Sequence, residues 1–345
     1  MKIRNLYLLL VVFFALGCKN SDTEEELIGN WTYLGDFDGS ARNDASSFVI
    51  GDTAYICLGF NSKKALIDLY RYDAGTKTWK QRADFPGKPR YAASAFVANG
   101  KAYVGLGVNG VEIYDDFWAY DPATNKWDSV TAPFPGGGRY YAIAAAVNNV
   151  GIVGTGTNEE KGDLKDFYSF TPGSTPGSGT WTALSGPEGS KRQGASVFVI
   201  GNYLYLLGGI TNNGNPVDMQ KYDLAADRWE KVMDLRNTDQ TTDDDKYDQI
   251  SRAYACAFVI NGNGYITLGQ KSSSPVPTTF EYVPSENRWY EKTGFSRSTR
   301  TGAVAFSLSQ TSKARGFIMT GRSSSTRFDD FIEFHPAATN NTYDD

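Results

Sequence analysis

Residues 90–127 run as Arg90-Tyr91-Ala92-Ala93-Ser94-Ala95-Phe96-Val97, then Asn99-Gly100, then Ala102-Tyr103-Val104-Gly105-Leu106-Gly107. After a loop come Phe117-Trp118-Ala119-Tyr120, then Asp121-Pro122-Ala123-Thr124-Asn125, and finally Lys126-Trp127. The apolar segments are short and rich in β-branched and aromatic residues, the composition of strands. Asn99-Gly100 has the chemistry of a two-residue hairpin turn, and Asp121 to Asn125 that of a second turn. The stretch predicts four antiparallel strands in roughly 50 residues.

The same reading recurs along the chain in one register. Trp31, Trp79, Trp127, Trp181, Trp229 and Trp289 are spaced by 48, 48, 54, 48 and 60 residues. Arg42, Arg90, Arg139, Arg192, Arg252 and Arg300 keep step with them, each at the head of the first strand of its repeat. Six four-stranded units of this length are the blades of an all-β propeller. The sixth repeat, Arg300 to Pro336, holds three strands and no following Trp, while Ile28-Gly29-Asn30-Trp31-Thr32 is a lone strand at the other end. Pairing those two pieces completes the last blade and closes the ring, which hides the sheet edges.

The repeats resemble those of the kelch family across residues 28–337. The family's Gly pair at the end of the second strand is kept in its second member at Gly59, Gly107, Gly156, Gly209, Gly269 and Gly321, and in both members only at Gly208-Gly209. Its Tyr-Asp-Pro turn before the Trp is seen as Tyr72-Asp73, Tyr120-Asp121-Pro122, Tyr222-Asp223, Tyr282-Val283-Pro284 and Phe334-His335-Pro336. The resemblance implies a six-bladed kelch-type propeller. It extends distantly to galactose oxidase, whose propeller binds copper through two His and two Tyr; this chain has a single His, His335, placed in a turn, so neither that metal set nor a Ser/His/Asp triad is expected. It extends also to the N-acetylneuraminate epimerase family through Phe85-Pro86-Gly87-Lys88-Pro89-Arg90 and Tyr103-Val104-Gly105-Leu106-Gly107.

The first residues read as an export signal. Lys2 and Arg4 precede an apolar run from Leu6 to Leu16, too short to span a bilayer, which needs about 20 apolar residues. Ala15-Leu16-Gly17-Cys18 resembles the lipobox of bacterial lipoproteins, in which the Cys becomes the lipidated first residue. The expected organisation is a signal peptide over 1–17, an acidic tether over 18–27 from lipidated Cys18, the propeller over 28–337 and a tail over 338–345. The location implied is the outer membrane, on the cell surface or its periplasmic face, with the lipid as the membrane contact. Loss of Lys2 and Arg4 takes the net charge from −5 to −7. An acidic chain without a basic run is a poor nucleic-acid binder, because phosphate contacts need clustered Lys and Arg. Cys57 and Cys256 fall in blades that are not neighbours and are expected as buried thiols rather than a disulfide.

The candidate site is a ring of guanidinium groups. Arg42, Arg90, Arg139, Arg192, Arg252 and Arg300 are expected near one mouth of the central channel, with Tyr91, Tyr140, Tyr141 and Tyr254 beside them, able to hold an anion by bidentate hydrogen bonds while the rings stack on a sugar. The alternative for each Arg is a pairing with carbonyls or acids of the fold. Trp118, outside the Trp register, is expected to pack between blades. An acidic insertion, Asp239 to Gln249 with Asp243-Asp244-Asp245, lies on the Arg face and lacks the spacing of a calcium loop. A Pro, Gly and Ser-rich insertion, Thr171 to Thr180, lies on the opposite face. No catalytic residues, cofactor or metal are assigned. The leading reading is a surface-anchored binding module for a glycan or anionic small molecule, alongside other surface proteins; the alternatives are an epimerase-like enzyme and a protein interaction scaffold.

Overall fold

The computed structural model describes residues 26–236, 247–309 and 314–343. The export signal, Cys18 and the Asp243-Asp244-Asp245 cluster lie outside the described residues. Six four-stranded antiparallel sheets follow one another along the chain. Blade one is Ser46–Ile50, Thr53–Cys57, Leu69–Asp73 and Thr78–Gln81, and blade two is Ser94–Ala98, Lys101–Gly105, Phe117–Asp121 and Lys126–Ser129. Blades three to five repeat the order from Ile143–Val147, Ser196–Ile200 and Cys256–Ile260.

Blade six is made from both ends of the chain. Val304–Leu308, Arg315–Met319 and Asp330–Thr339 supply three strands, and Ile28–Asp36 pairs with the last of them, Trp31 opposite Phe334. Trp31 is fully buried there, with its ring 4.4 Å from Phe334 and 5.1 Å from Phe295. The closure expected from the split sixth repeat is what the structure shows. The last strand runs two residues past the expected end at 337.

Apolar residues on both faces of each sheet meet those of the next blade, so the core is a series of interblade layers. Phe96, Tyr103 and Phe117 of blade two pack with Val153 and Phe170 of blade three, for example. The retained Gly of each repeat locks neighbouring blades. Its N–H donates to the carbonyl of the next blade's repeat Arg at 2.8–3.0 Å in all six blades, and Gly321 to Arg42 links the last blade to the first. These glycines have φ between +83° and +100°, where a side chain is strained. A Cβ at Gly107 would also stand 2.7 Å from the Tyr91 carbonyl oxygen.

Candidate functional site

The six repeat Arg side chains are fully buried, so the expected guanidinium ring at the mouth is not what the structure shows. Each turns away from the channel into its own blade. Arg42 meets both oxygens of Asp68 at 2.5 and 2.7 Å, Arg139 those of Asp166 at 2.7 and 2.9 Å, and Arg90, Arg192 and Arg300 hold Asp116, Asp218 and Asp330 in the same way. The physical reason is desolvation: a guanidinium inside a blade needs a carboxylate and carbonyls around it, and the start of the third strand supplies the acid. Burial pushes the Asp116 and Asp166 carboxyls up, but the hydrogen bonds and charge of Arg90 and Arg139 outweigh it and hold both below the usual carboxylate range. A depressed carboxyl contributes stability that is present above its unfolded pKa and lost as pH falls through the folded one, so these pairs weaken the fold only in acid.

Each Arg also donates to the carbonyl just before the retained Gly: Leu58, Leu106, Thr155, Gly208, Leu268 and Thr320. Those six residues sit at φ between +57° and +64°. This is where the kelch-like Gly pair has lost its first member in five repeats, and the buried Arg secures the left-handed turn instead. Blade five departs from the rest. Among the described residues Arg252 meets no carboxylate, and it donates to the oxygens of Thr278, Leu268 and Gln249. Burial there lowers the Arg252 pKa, against the opposing charge of Asp248.

The residues that do face the mouth stand two positions after each Arg: Asp44, Ala92, Tyr141, Gly194, Tyr254 and Gly302. All six have φ between +52° and +62°. Their backbones are joined blade to blade by N–H to carbonyl bonds: Asp44 to Gly302, Ala92 to Asp44, Tyr141 to Ala92, Gly194 to Tyr141 and Tyr254 to Gly194, at 2.8–3.1 Å. With five of its six amides engaged in this way, the mouth offers mainly side chains to a ligand. Large and small alternate because the channel is narrow: Asp44, Tyr141 and Tyr254 come from blades one, three and five, and Ala92, Gly194 and Gly302 lie between. A Cβ on Gly194 would stand 2.5 Å from the Tyr254 ring, and one on Gly302 would stand 2.3 Å from the Asp44 carboxylate.

These three side chains edge a cavity of about 150 Å³ whose floor is a ring of Ala45, Ala93, Ala142, Ala195, Ala255 and Ala303. Asp44 accepts hydrogen bonds from the Tyr141 hydroxyl at 3.0 Å and from Asn43. The Tyr141 and Tyr254 rings meet edge to face at 4.8 Å, and the Tyr254 hydroxyl donates to Gln193 at 3.4 Å. Burial raises the Asp44 carboxyl despite those two donors, so it holds a proton more readily than a surface acid. Burial, and then the Asp44 charge, push the Tyr254 hydroxyl up to about 12 and the Tyr141 hydroxyl well above its ordinary value. Arg322, exposed on the loop of blade six, acts on this cluster electrostatically and favours the ionised forms.

Of the ten residues expected at the site, Tyr141 and Tyr254 line this cavity. Tyr91 packs on Phe60 at 5.4 Å and Tyr140 on Tyr141 at 5.5 Å, both half-buried at the rim. Trp118 donates to Asp116 at 2.9 Å and packs edge-on against Phe85. His335 pairs with Glu333 on the closing strand at 3.1 Å. Cys57 and Cys256 are buried free thiols. Asp44 was missed because it occupies a position held by Ala, Gly or Tyr in the other repeats.

Comparison with known proteins agrees with this architecture. A family model described as the kelch motif matches residues 89–133 and 191–236, the segments that lead into and span blades two and four. Two of the six repeats match the kelch motif. Among solved structures, this propeller is similar to YjhT, with a TM-score of 0.67 and 19% identity over 86% of this chain and 95% of that one. At that identity the likeness concerns the fold alone. No curated protein matches the sequence.

Proposed function

We propose that the protein is a binding module that takes a small hydroxyl-rich ligand, such as the terminal ring of a glycan, at the channel mouth. The observation that carries this reading is the three-cornered arrangement of Asp44, Tyr141 and Tyr254 over an Ala floor. A carboxylate and phenol oxygens suit sugar hydroxyls, and an aromatic face suits the C–H side of a sugar ring. The space fits one ring and no more. Arg322 beside the mouth supplies a charge for an acidic sugar, a role first expected of the buried Arg residues. A glycan array containing neutral, sialylated and uronic-acid sugars tests the reading. Tyr254→Ala and Asp44→Asn should each weaken binding about tenfold or more, since a hydrogen bond to a charged group is worth roughly 1.5–3 kcal/mol. Absence of binding by the wild type, or unchanged affinity in both variants, would remove the mouth from consideration.

The same reading places the module at a membrane through lipidated Cys18, supported by the Ala15-Leu16-Gly17-Cys18 segment after an apolar run. Cys18→Ser is expected to abolish fatty-acid labelling and release the protein from the membrane fraction. Labelling that survives the substitution would contradict the anchor.

A further inference from the structure

Blade four differs from its neighbours at its outer rim. In blades one, two, three and six the chain entering the blade inserts a Phe, namely Phe37, Phe85, Phe134 and Phe295, whose ring lies 4.9–5.2 Å from the guanidinium of the repeat Arg. In the first three the same ring packs on the aromatic pair of strands three and four, as Phe37 does on Tyr70 and Trp79 and Phe134 on Tyr168 and Trp181. In blade five fully buried Leu235 takes the place. In blade four the position is Pro187, and the aromatic partner on strand three is replaced by Gln220.

The consequence is an open cleft of about 470 Å³ walled by Trp229, Gln220, Gly189 and Asn213, with Lys231 and Arg236 also lining it. A Cβ at Gly39, Gly87 or Gly136 would stand 2.5–2.7 Å from a Phe ring atom, or closer to the Arg139 guanidinium in the last case, whereas one at Gly189 would meet nothing nearer than 3.9 Å. Gln220 is 4% exposed, and its amide nitrogen is engaged by the Glu188 carbonyl and the Asp218 carboxylate. Its Oε1 accepts none of the hydrogen bonds found among the described residues, and the side chain lines the cleft.

We propose that this cleft is a docking site for an aromatic side chain, tyrosine above all, presented by a partner polypeptide. The site receives in trans the kind of ring that its neighbours supply in cis. Trp229 meets the ring edge to face, as Trp79 meets Phe37, Gln220 Oε1 accepts from the phenol, and the charged rim meets the partner's main chain. The proposal is independent of the channel mouth.

N-acetyl-tyrosinamide, N-acetyl-phenylalaninamide, N-acetyl-leucinamide and methyl glucoside are titrated at millimolar concentration against the purified protein. The indole N–H of Trp229, assigned with Trp229→Phe, is followed by NMR. The aromatic amides should shift this resonance and the leucine amide should not. Gln220→Leu should remove the preference for tyrosine over phenylalanine. Pro187→Phe, which rebuilds the plug of four other blades, should weaken the tyrosine amide at least tenfold; Gln220→Tyr, the residue type of blades one and three, is a second closing variant should the first not fold. No shift with either aromatic amide, equal response in a folded closing variant, or a larger response to methyl glucoside would overturn the assignment.

Discussion

Arg300→Met is expected to cost about 3 kcal/mol of folding stability, because it leaves Asp330, 6% exposed, as a buried carboxylate stripped of its bidentate partner. The remaining contact from Arg297 at 3.2 Å offsets part of the loss, which keeps the figure at the lower end for a broken buried pair. The substitution also takes the donor from the Thr320 carbonyl and the cation from between Phe295 and Phe328. Arg252→Met should cost less, since among the described residues Arg252 pairs with no carboxylate that the change would strand. The converse change tests the same physics. Thr278→Asp supplies the acid that Arg252 lacks and should stabilise the fold by about 1–2 kcal/mol, the range of a charge-assisted hydrogen bond after burial of the new group. Thermal unfolding of the three variants against wild type should rank them Thr278→Asp highest, then wild type, Arg252→Met and Arg300→Met. An Arg300→Met protein that melts with wild type would mean these pairs contribute nothing.

Deleting Ile28 to Asp36 is the second large effect. The truncation removes the outer strand of blade six, including fully buried Trp31, whose loss alone is worth about 3–5 kcal/mol. It also bares Asp330–Thr339 as an unpaired edge and exposes Phe295 and Phe334, which Trp31 covers. Aggregation or a melting transition lowered by many degrees is expected. Deleting residues 19–26 should leave melting unchanged. Equal melting of both truncations and the full protein would refute closure by the N-terminal strand.

The architecture was legible because its signals are periodic. Trp and Arg recur in register, and the incomplete sixth repeat together with the stray Ile28 to Thr32 strand states the closure. The direction of the Arg side chains was not legible from the Arg residues themselves. The clue lay further along: Asp68, Asp116, Asp166, Asp218 and Asp330 stand 26, 26, 27, 26 and 30 residues after their Arg. A cation and an acid that recur together at such spacing read as a pair that belongs to the fold. The side chains proposed to meet the ligand instead break the repeat, as Asp44 and the two tyrosines do at a position otherwise held by Ala or Gly. Pro187 and Gln220 break it as well, and an open cleft results.

The central claim is that the repeat Arg residues hold the blades while the residue two positions later meets the ligand. Melting temperature and affinity, measured on the same samples of Arg300→Met and Asp44→Asn with the tightest glycan found on the array, test it most directly. The expected result is a lower melting temperature with unchanged affinity for Arg300→Met, and weakened binding with melting close to wild type for Asp44→Asn. Loss of affinity at unchanged melting in Arg300→Met, with Asp44→Asn binding normally, would contradict the account.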